Sequence, residues 1–213
     1  MSDNTTLVSA KGKGRPRSFD RDTALMTALR IFWKLGYEPA SVSILCKAME
    51  INPPSFYAAF KSKEMLFLEA ITFYEKRYWT PLLTAFENSD APLKPLLRDF
   101  FNKAAAILLN PETPSGCMVV LAAINIAPKE ERIAAVVKEL RQQTRDVFAR
   151  RLQKSLDKGE LYPNAKLASL ADTFNIMLEG MSIQAKDAMP LKDLQEAAKL
   201  IPNLIDPYIK DPQ

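Results

Sequence analysis

The spacing of apolar residues is the feature that most limits how this chain of 213 residues can fold. From Phe19 onward, apolar side chains recur at i, i+3 and i+4, the period of one helix face. No segment shows the clean alternation of apolar and polar residues that a half-buried strand needs. The 15 prolines and 6 glycines favour helices joined by proline-punctuated loops. The sequence therefore predicts an all-α fold.

Helix boundaries in the first third can be predicted from capping residues. Side chains that can accept a hydrogen bond from the first helical turn precede four apolar segments. These candidate N-caps are Asp20, Ser41, Asn52 and Ser62. The first helix is expected to stop at Gly36, the third spans Pro53 to about Phe60, and the fourth reaches about Trp79. Pro81 is expected to break or kink that fourth helix.

The remainder also has helical periodicity, with no internal repeat. The predicted helices cover residues 92–109, 117–126, 128–158, 166–188 and 190–206. Residues 110–116 form a loop by composition, and Gly159 ends the longest helix.

Positive charge is concentrated at the amino-terminal end. Residues 1–65 contain 10 lysines and arginines against 6 acidic residues, whereas the rest contains 19 of each. This distribution is expected of a DNA-binding end on a neutral helical body. A basic tail that only aids solubility is the alternative.

The absence of histidine restricts the chemistry of this chain. Catalytic sites of the Ser-His-Asp and Cys-His types are excluded, as are metal sites that need imidazole. An enzyme is therefore not expected, and no cofactor or metal is predicted. The two cysteines, Cys46 and Cys117, suggest reduced thiols in a cytoplasmic protein. No apolar run of 18 residues and no apolar leader segment occur, so no membrane partner is expected.

Two short helices within residues 41–60 are separated only by Glu50, Ile51 and Asn52. Such a pair, with small residues on the outer face of its second helix, is typical of a helix-turn-helix. The second helix would enter the major groove with its amino terminus first. Tight helix pairs also occur in helical proteins that bind no DNA.

The flanking residues narrow this choice. The pattern comprises Ala28-x3-Phe32, Gly36-Tyr37, Ser41-Val42, Leu45-x2-Ala48, Ile51, Phe56-Tyr57-x2-Phe60 and Lys63-Glu64-x-Leu66. On these residues the stretch from Phe19 to Leu66 resembles the DNA-binding domain of the TetR family of transcriptional regulators. The composition of residues 1–17, low in apolar and rich in basic residues, predicts a disordered basic arm. The resemblance implies a DNA-binding domain over 18–65 and a helical ligand-binding and dimerisation domain over 66–213.

The resemblance also implies which residues contact DNA. Phosphate contacts are expected from Ser41, Tyr57 and Lys63. Base edges would be faced by Asn52, Pro53, Pro54, Ser55, Ala58 and Ala59, whereas Phe56 and Phe60 are expected in the core. Few of these side chains are polar, so direct readout from this helix is weak. Glu50 departs from the family, which usually has glycine there, and a left-handed Glu50 would cost roughly 1 kcal/mol.

The amino-terminal arm offers a second means of reading DNA. Gly14-Arg15-Pro16 resembles the core of an AT-hook, in which arginine lies in a narrow A·T-rich minor groove. Arg15 and Arg17 are therefore predicted to bind DNA, the alternative being an inert tail.

The carboxy-terminal helices are expected to enclose an effector and to form a dimer. Predicted effector-binding residues are Phe100, Met118, Leu121, Asn125, Phe174 and Met177. For each apolar one the ordinary alternative is a core position, and for Asn125 it is a helix cap. Gly180, with Met177 and Met181, is predicted at a dimer interface, because glycine permits close helix approach. Cys117 begins a helix whose dipole could lower the pKa of its thiol, whereas Cys46 is expected to be buried and inert.

Together these features predict a homodimeric transcriptional repressor with two partners, double-stranded operator DNA and an unknown small-molecule effector. Release would follow when the effector binds. The alternative function is that of a helical carrier or interaction protein without DNA binding, and activation instead of repression stays open.

Overall fold

The computed structural model describes residues 19–121 and 126–210. Within these ranges the fold is all-helical, as predicted, apart from an isolated bridge between Leu161 and Ile209. The helices are α1 (Arg21–Leu35), α2 (Val42–Ala48), α3 (Pro53–Phe60), α4 (Lys63–Tyr74), α5 (Thr80–Asn88), α6 (Leu93–Leu108), α7 (Met118–Leu121), α8 (Glu131–Asp157), α9 (Leu167–Lys186) and α10 (Leu191–Ala198). A 3-10 turn, Ile201–Ile205, follows α10.

The four predicted N-caps are confirmed. Each side-chain oxygen accepts a backbone N–H two or three residues later, at 2.9–3.2 Å. The caps of α1 to α4 are Asp20, Ser41, Asn52 and Ser62. Gly36 ends α1 with a positive φ of 85°, as its position after the last apolar residue predicted.

A π-helical turn, Glu75–Trp79, joins α4 to α5. The expectation that Pro81 would end or kink the helix near Trp79 is therefore wrong in detail. The wider turn inserts one residue, and the Thr80 N–H donates to the Glu75 carbonyl five residues earlier. Pro81 consequently falls in the first turn of α5, where its missing N–H costs little.

Two other boundaries differ from the predictions. The helix expected over 117–126 is described as Met118–Leu121, and its predicted end is not tested because residues 122–125 lie outside the described part. The longest helix begins at Glu131, a few residues late. The last predicted helix is divided, because Pro202 cannot donate a backbone hydrogen bond and instead begins the 3-10 turn.

The core of the carboxy-terminal part is a group of phenylalanines from α5, α6, α8 and α9. Their rings lie 4.8–6.0 Å apart, and all are buried. The group comprises Phe86, Phe100, Phe101, Phe148 and Phe174. Each such aromatic pair contributes about 0.5–1.5 kcal/mol beyond the burial of its area. None of the described helices is both long and apolar enough to cross a bilayer.

Candidate DNA interface and effector cleft

Helix α3 presents a small and mostly uncharged surface. Tyr57 is 50% exposed, Pro54 and Ala58 are exposed, and Ser55 is half-buried. On the opposite side Phe56 and Phe60 are buried, which confirms their predicted place in the core. The phenol ring of Tyr57 is thus free to lie against DNA, and the small neighbouring side chains allow close approach of the helix.

Two of the predicted DNA contacts also cap helices. The side-chain oxygen of Asn52 accepts the Ser55 N–H at 2.9 Å, and that of Ser41 accepts the Ile44 N–H at 3.2 Å. These bonds leave the amide hydrogens of Asn52 and the hydroxyl proton of Ser41 as donors. Both are able to donate to phosphate or base acceptors while the caps stay intact.

Lys63 supports the turn between α1 and α2. Its ammonium donates to the carbonyls of Tyr37 at 3.0 Å and Glu38 at 3.4 Å, and lies 4.0 Å from the centre of the Tyr37 ring. An ammonium has three protons, so one is left for a phosphate. The role of Lys63 in DNA binding stays a prediction. Its contacts with Tyr37 and Glu38 inside the domain could not be foreseen from the sequence.

Glu50 adopts the left-handed conformation that is usually reserved for glycine at this position, with φ of 54°. It follows α2 in a Schellman motif, in which the Ile51 N–H donates to Cys46 at 3.0 Å and the Glu50 N–H donates to Lys47 at 3.3 Å. Glycine is the usual residue at this position because it has no Cβ to clash. The turn before α3 therefore carries conformational strain and a negative charge.

Arg15 and Arg17 lie outside the described residues, so their predicted minor-groove contacts rest on sequence alone. Near α3 the described surface adds two exposed lysines that sequence reasoning did not select, Lys47 and Lys61. Lys47 is in the last turn of α2, and Lys61 follows α3. Only their positive charge beside a helix-turn-helix could have indicated them.

A cleft between the π-turn, α7, α8 and α9 is the candidate effector site. We call it the effector cleft, lined by Glu75, Trp79, Cys117, Val119, Val120, Leu140, Arg141, Thr144, Asn175, Leu178 and Glu179. Its lining combines apolar walls with a few polar groups, as small-molecule sites do. The space open to the centre of a water molecule is only about 30 Å³, so an effector must widen the cleft to enter.

None of the predicted effector residues within the described part of the chain belongs to the lining of this cleft. Phe100, Met118 and Phe174 are fully buried in the core, and Leu121 is half-buried. Met177 is 40% exposed on α9. Asn125 lies outside the described residues. Sequence periodicity locates the apolar faces of helices, but it cannot tell a core position from a cleft wall, because both are apolar.

Burial raises the pKa values of two titratable groups in the cleft, Glu75 and Cys117. Desolvation raises the pKa of Glu75 to about 7, and burial next to Glu75 raises the pKa of Cys117 to about 12. The suggestion that the start of a helix could lower the pKa of Cys117 is wrong for the net shift: the N–H groups of Val119 and Val120 do lower this pKa, but burial of the thiol and the nearby Glu75 raise it by more. Cys46 is buried, as predicted.

A hydrogen-bonded aromatic group connects the cleft with α1. The Tyr74 hydroxyl accepts from the indole of Trp79 at 2.7 Å and from the Met118 N–H at 3.2 Å. The Tyr74 ring lies edge-on to Trp33 of α1, with 4.7 Å between centres. The Trp33 indole in turn donates to the Gly116 carbonyl at 2.9 Å. Trp79, which lines the cleft, is thus connected to α1 through Tyr74 and Trp33.

A second set of contacts joins the start of α8 to the helix-turn-helix. Glu38 accepts from the Ala127 N–H at 3.2 Å, and the Tyr37 hydroxyl donates to Glu130 at 3.4 Å. Arg132 pairs with Glu64 at 3.4 Å. The turn that Lys63 supports is therefore also held by the segment between α7 and α8.

An apolar strip on α9 has no partner within the described chain. Ile176 is 63% exposed and Ile183 is 45% exposed, and a Cβ built at Gly180 would meet nothing within 4 Å. Met177 belongs to the same exposed surface, whereas Met181 is buried within the protomer. Three leucines that follow α9 in the chain are exposed as well, namely Leu191, Leu200 and Leu204. Such a patch is typical of a protein–protein interface.

These features define a class of protein. A helix-turn-helix with an exposed second helix, joined by direct contacts to a helical body with a partly polar cleft, is the arrangement of a DNA-binding transcriptional regulator.

Comparisons with known proteins identify the family. Residues 24–70 match "Bacterial regulatory proteins, tetR family", and residues 94–199 match "Tetracyclin repressor-like, C-terminal domain". A solved cysteine mutant of the TetR family transcriptional regulator CifR, complexed with 26-base-pair operator DNA, is 35% identical, with a TM-score of 0.84 over 89% of this chain and 98% of that one. The chain belongs to the TetR family of transcriptional regulators.

Two relatives from Escherichia coli (strain K12) match along their whole length. The HTH-type transcriptional repressor ComR is 29% identical over 209 residues, which is 96% of this chain and 100% of that protein. The HTH-type transcriptional repressor BdcR is 26% identical over 207 residues, or 97% and 99% of the two chains. The predicted family and fold class are confirmed, and the function is regulation of transcription.

Proposed function

We propose that this protein is a homodimeric repressor that leaves a two-fold symmetric operator when a small molecule enters the effector cleft. The contact between Trp33 and Tyr74 carries this proposal, because Tyr74 also holds the cleft residue Trp79. The similarity to repressors and to a regulator complexed with operator DNA supports the same function. A cytoplasmic location accords with it.

DNA binding is assigned to α3, with Tyr57, Pro54, Ser55 and Ala58 on its accessible side. Phosphates would be held by the Tyr57 hydroxyl and by the free protons of Ser41 and Lys63, and the amide of Asn52 would face base edges. Because α3 has few polar side chains, most of the affinity would come from these phosphate contacts and from Arg15 and Arg17 of the arm.

Dimerisation is assigned to the exposed strip of Ile176, Met177, Gly180 and Ile183 on α9, with the leucines that follow it. A second copy would bury these side chains and form a four-helix interface. The pair of α3 helices would then bind one face of the duplex about 34–36 Å apart, or a multiple of that distance.

Release would pass through two routes. A molecule that widens the cleft displaces Trp79 and α8. Tyr74 and Trp33 transmit the first movement to α1, and Glu130 and Arg132 transmit the second to the turn that Lys63 supports. Coupling of this kind typically amounts to about 1–3 kcal/mol, and it is reciprocal, so operator must weaken effector binding by the same factor.

Replacing one of two exposed alanines by glutamate tests whether α3 binds DNA. Ala58→Glu places a negative charge on its exposed face, and Ala106→Glu places the same charge on the exposed face of α6. Selected operator DNA should bind the Ala106→Glu protein like the parent and the Ala58→Glu protein at least tenfold more weakly. Equal binding by both variants, at unchanged thermal stability, would remove α3 from the DNA interface.

A further inference from the structure

The effector cleft contains an acidic side chain, Glu75, that has no hydrogen-bond or ion-pair partner among the described residues, and this side chain indicates the chemical class of the effector. Resting on the proposed function, we propose that the effector is a small amine with an apolar body and a positive charge, and that the Glu75 carboxylate receives its ammonium group.

Glu75 is placed by the π-turn and not by an ordinary helix. Its side chain borders the effector cleft and also a neighbouring cleft lined in part by Thr80, Thr84 and Gln143. Within residues 19–121 and 126–210, no side chain or backbone group donates a hydrogen bond to its carboxylate, and no cation forms an ion pair with it. Glu75 is half-buried, and burial raises the pKa of its carboxyl. A partly desolvated carboxylate of this kind gains from a donor supplied by a ligand.

The charged groups that face Glu75 leave room for one more cation. On the side of the effector cleft these are Arg141 of α8 and Glu179 of α9, with the thiol of Cys117 between them. On the other side, Arg150 and Glu87 satisfy each other with two hydrogen bonds. Among the described residues, the lining of the effector cleft contains one guanidinium and two carboxylates. Arg141 and Glu179 also border a neighbouring cleft with Lys138, Arg145 and Asp172, of which Arg145 and Asp172 pair with each other. An anionic effector would add a third negative charge to the lining of the effector cleft, whereas an ammonium group balances the two carboxylates.

The walls of the cleft suit the rest of such a molecule. Val119, Val120 and Leu178 provide an apolar surface, and Trp79 adds an indole next to Glu75. An indole face attracts cations as well as apolar groups. Because an effector has to widen this narrow cleft to enter, a small body disturbs the surrounding helices least, and a single aromatic ring is a suitable size for a probe.

The ionisation of Glu75 makes the proposal measurable. The pKa of Glu75 is raised to about 7 by desolvation, so the carboxyl is mostly ionised at pH 8 and mostly protonated at pH 6. An aliphatic amine stays protonated over this range. Its affinity should therefore fall about tenfold from pH 8 to pH 6, and binding near pH 7 should release about half a proton.

Three probes of one shape test the charge preference: benzylamine, benzyl alcohol and benzoate. Calorimetric titration of the full-length protein without DNA should give tightest binding for benzylamine at pH 8, by at least tenfold over either of the others. Titration of benzylamine near pH 7 in two buffers with different ionisation enthalpies should reveal the released proton.

Matched variants locate the effect. Glu75→Gln keeps the shape of the side chain and should abolish both the preference for benzylamine and its pH dependence. Glu139→Gln, on an exposed part of α8, should leave both unchanged. Equal binding of the three probes, no binding of benzylamine up to its solubility, or loss of the preference in Glu179→Gln but not in Glu75→Gln would overturn the proposal. Since no DNA is present, these outcomes are separate from a failure to bind operator.

Discussion

Replacing Glu50 with glycine should stabilise this protein and strengthen its binding to DNA. Glu50 has φ of 54° at the position after α2 where a Schellman motif needs a left-handed residue. A side chain in that conformation costs about 1–2 kcal/mol. Glycine removes this cost but loses about 0.5–1 kcal/mol more backbone entropy on folding. The net gain is therefore about 0.5–1 kcal/mol. For a chain of this size 1 kcal/mol corresponds to roughly 2–4 °C, so the melting temperature should rise by about 1–4 °C.

The same fold contains two controls for the backbone effect. Ala188 ends α9 in an equivalent motif with φ of 64°, and Gly159 ends α8 with φ of 77°. Ala188→Gly should stabilise the protein by a similar amount. Gly159→Ala should destabilise it, because alanine is strained at this positive φ. The new Cβ would meet no atom within 4 Å, so no steric clash adds to the effect.

The Glu50→Gln variant separates the effect of the negative charge on DNA binding from the effect of backbone strain on stability. This variant keeps the strained backbone and removes the negative charge beside α3. It should bind DNA more tightly than the parent at unchanged stability, and Glu50→Gly should show both gains. Thermal melts at one protein concentration and DNA titrations at one salt concentration provide the measurements. A Glu50→Gly protein no more stable than the parent, alongside a stabilised Ala188→Gly protein, would refute the strain at this turn.

Four further variants, one of them a double substitution, test other features of the protein. Lys63→Ala should weaken binding to all DNA sequences alike and lower the salt slope by roughly 1, as measured by titration at several salt concentrations. Arg15→Ala with Arg17→Ala should weaken binding most at operators with A·T-rich flanks, in the same assay. Cys117→Ser should keep the effector response, because burial raises the pKa of this thiol to about 12 and leaves it unreactive. In Glu75→Gln, the free energy of unfolding should no longer decline as pH rises from about 4.5 to 7, which makes the variant more stable than the parent at pH 8 by up to about 3 kcal/mol.

Each of these has an outcome that would contradict it. An unchanged salt slope would leave Lys63 with only its contact to the Tyr37 carbonyl. An arm variant that binds every flank like the parent would make the arm inert. Loss of the effector response in Cys117→Ser, with DNA binding intact, would make this cysteine a sensor. For Glu75, the raised pKa means that the protonated form is favoured by folding, so a parent whose stability rises between pH 4.5 and 7 through this group would reverse the argument.

The fold followed closely from local signals in the sequence. The caps Asp20, Ser41, Asn52 and Ser62 are where their side chains predict, because a cap depends only on the next three residues. The π-turn before Pro81 was not predictable in this way. A single proline allows a break, a kink or a widened turn, and the packing of Tyr74 and Trp79 decides among them.

The candidate sites were only partly accessible from sequence. The proposed DNA-binding surface depends on a short, continuous pattern, so its candidate residues could be chosen from the sequence, and their contacts with DNA stay a prediction. The effector cleft is assembled from the π-turn and three other helices. Its polar residues Glu75, Arg141 and Glu179 look like ordinary surface charges in the sequence. The contact of Trp33 with Tyr74 joins residues from two helices, and helical periodicity does not say which buried aromatics meet.

The central claim is that two copies of α3 read one face of a two-fold symmetric operator. Selection of duplexes from a random pool, followed by footprinting and by measurement of the mass of the complex, tests it most directly. We predict a palindromic or near-palindromic site, with half-sites about 34–36 Å apart or a multiple of that, bound by an even number of chains. An asymmetric footprint occupied by a single chain would contradict the account.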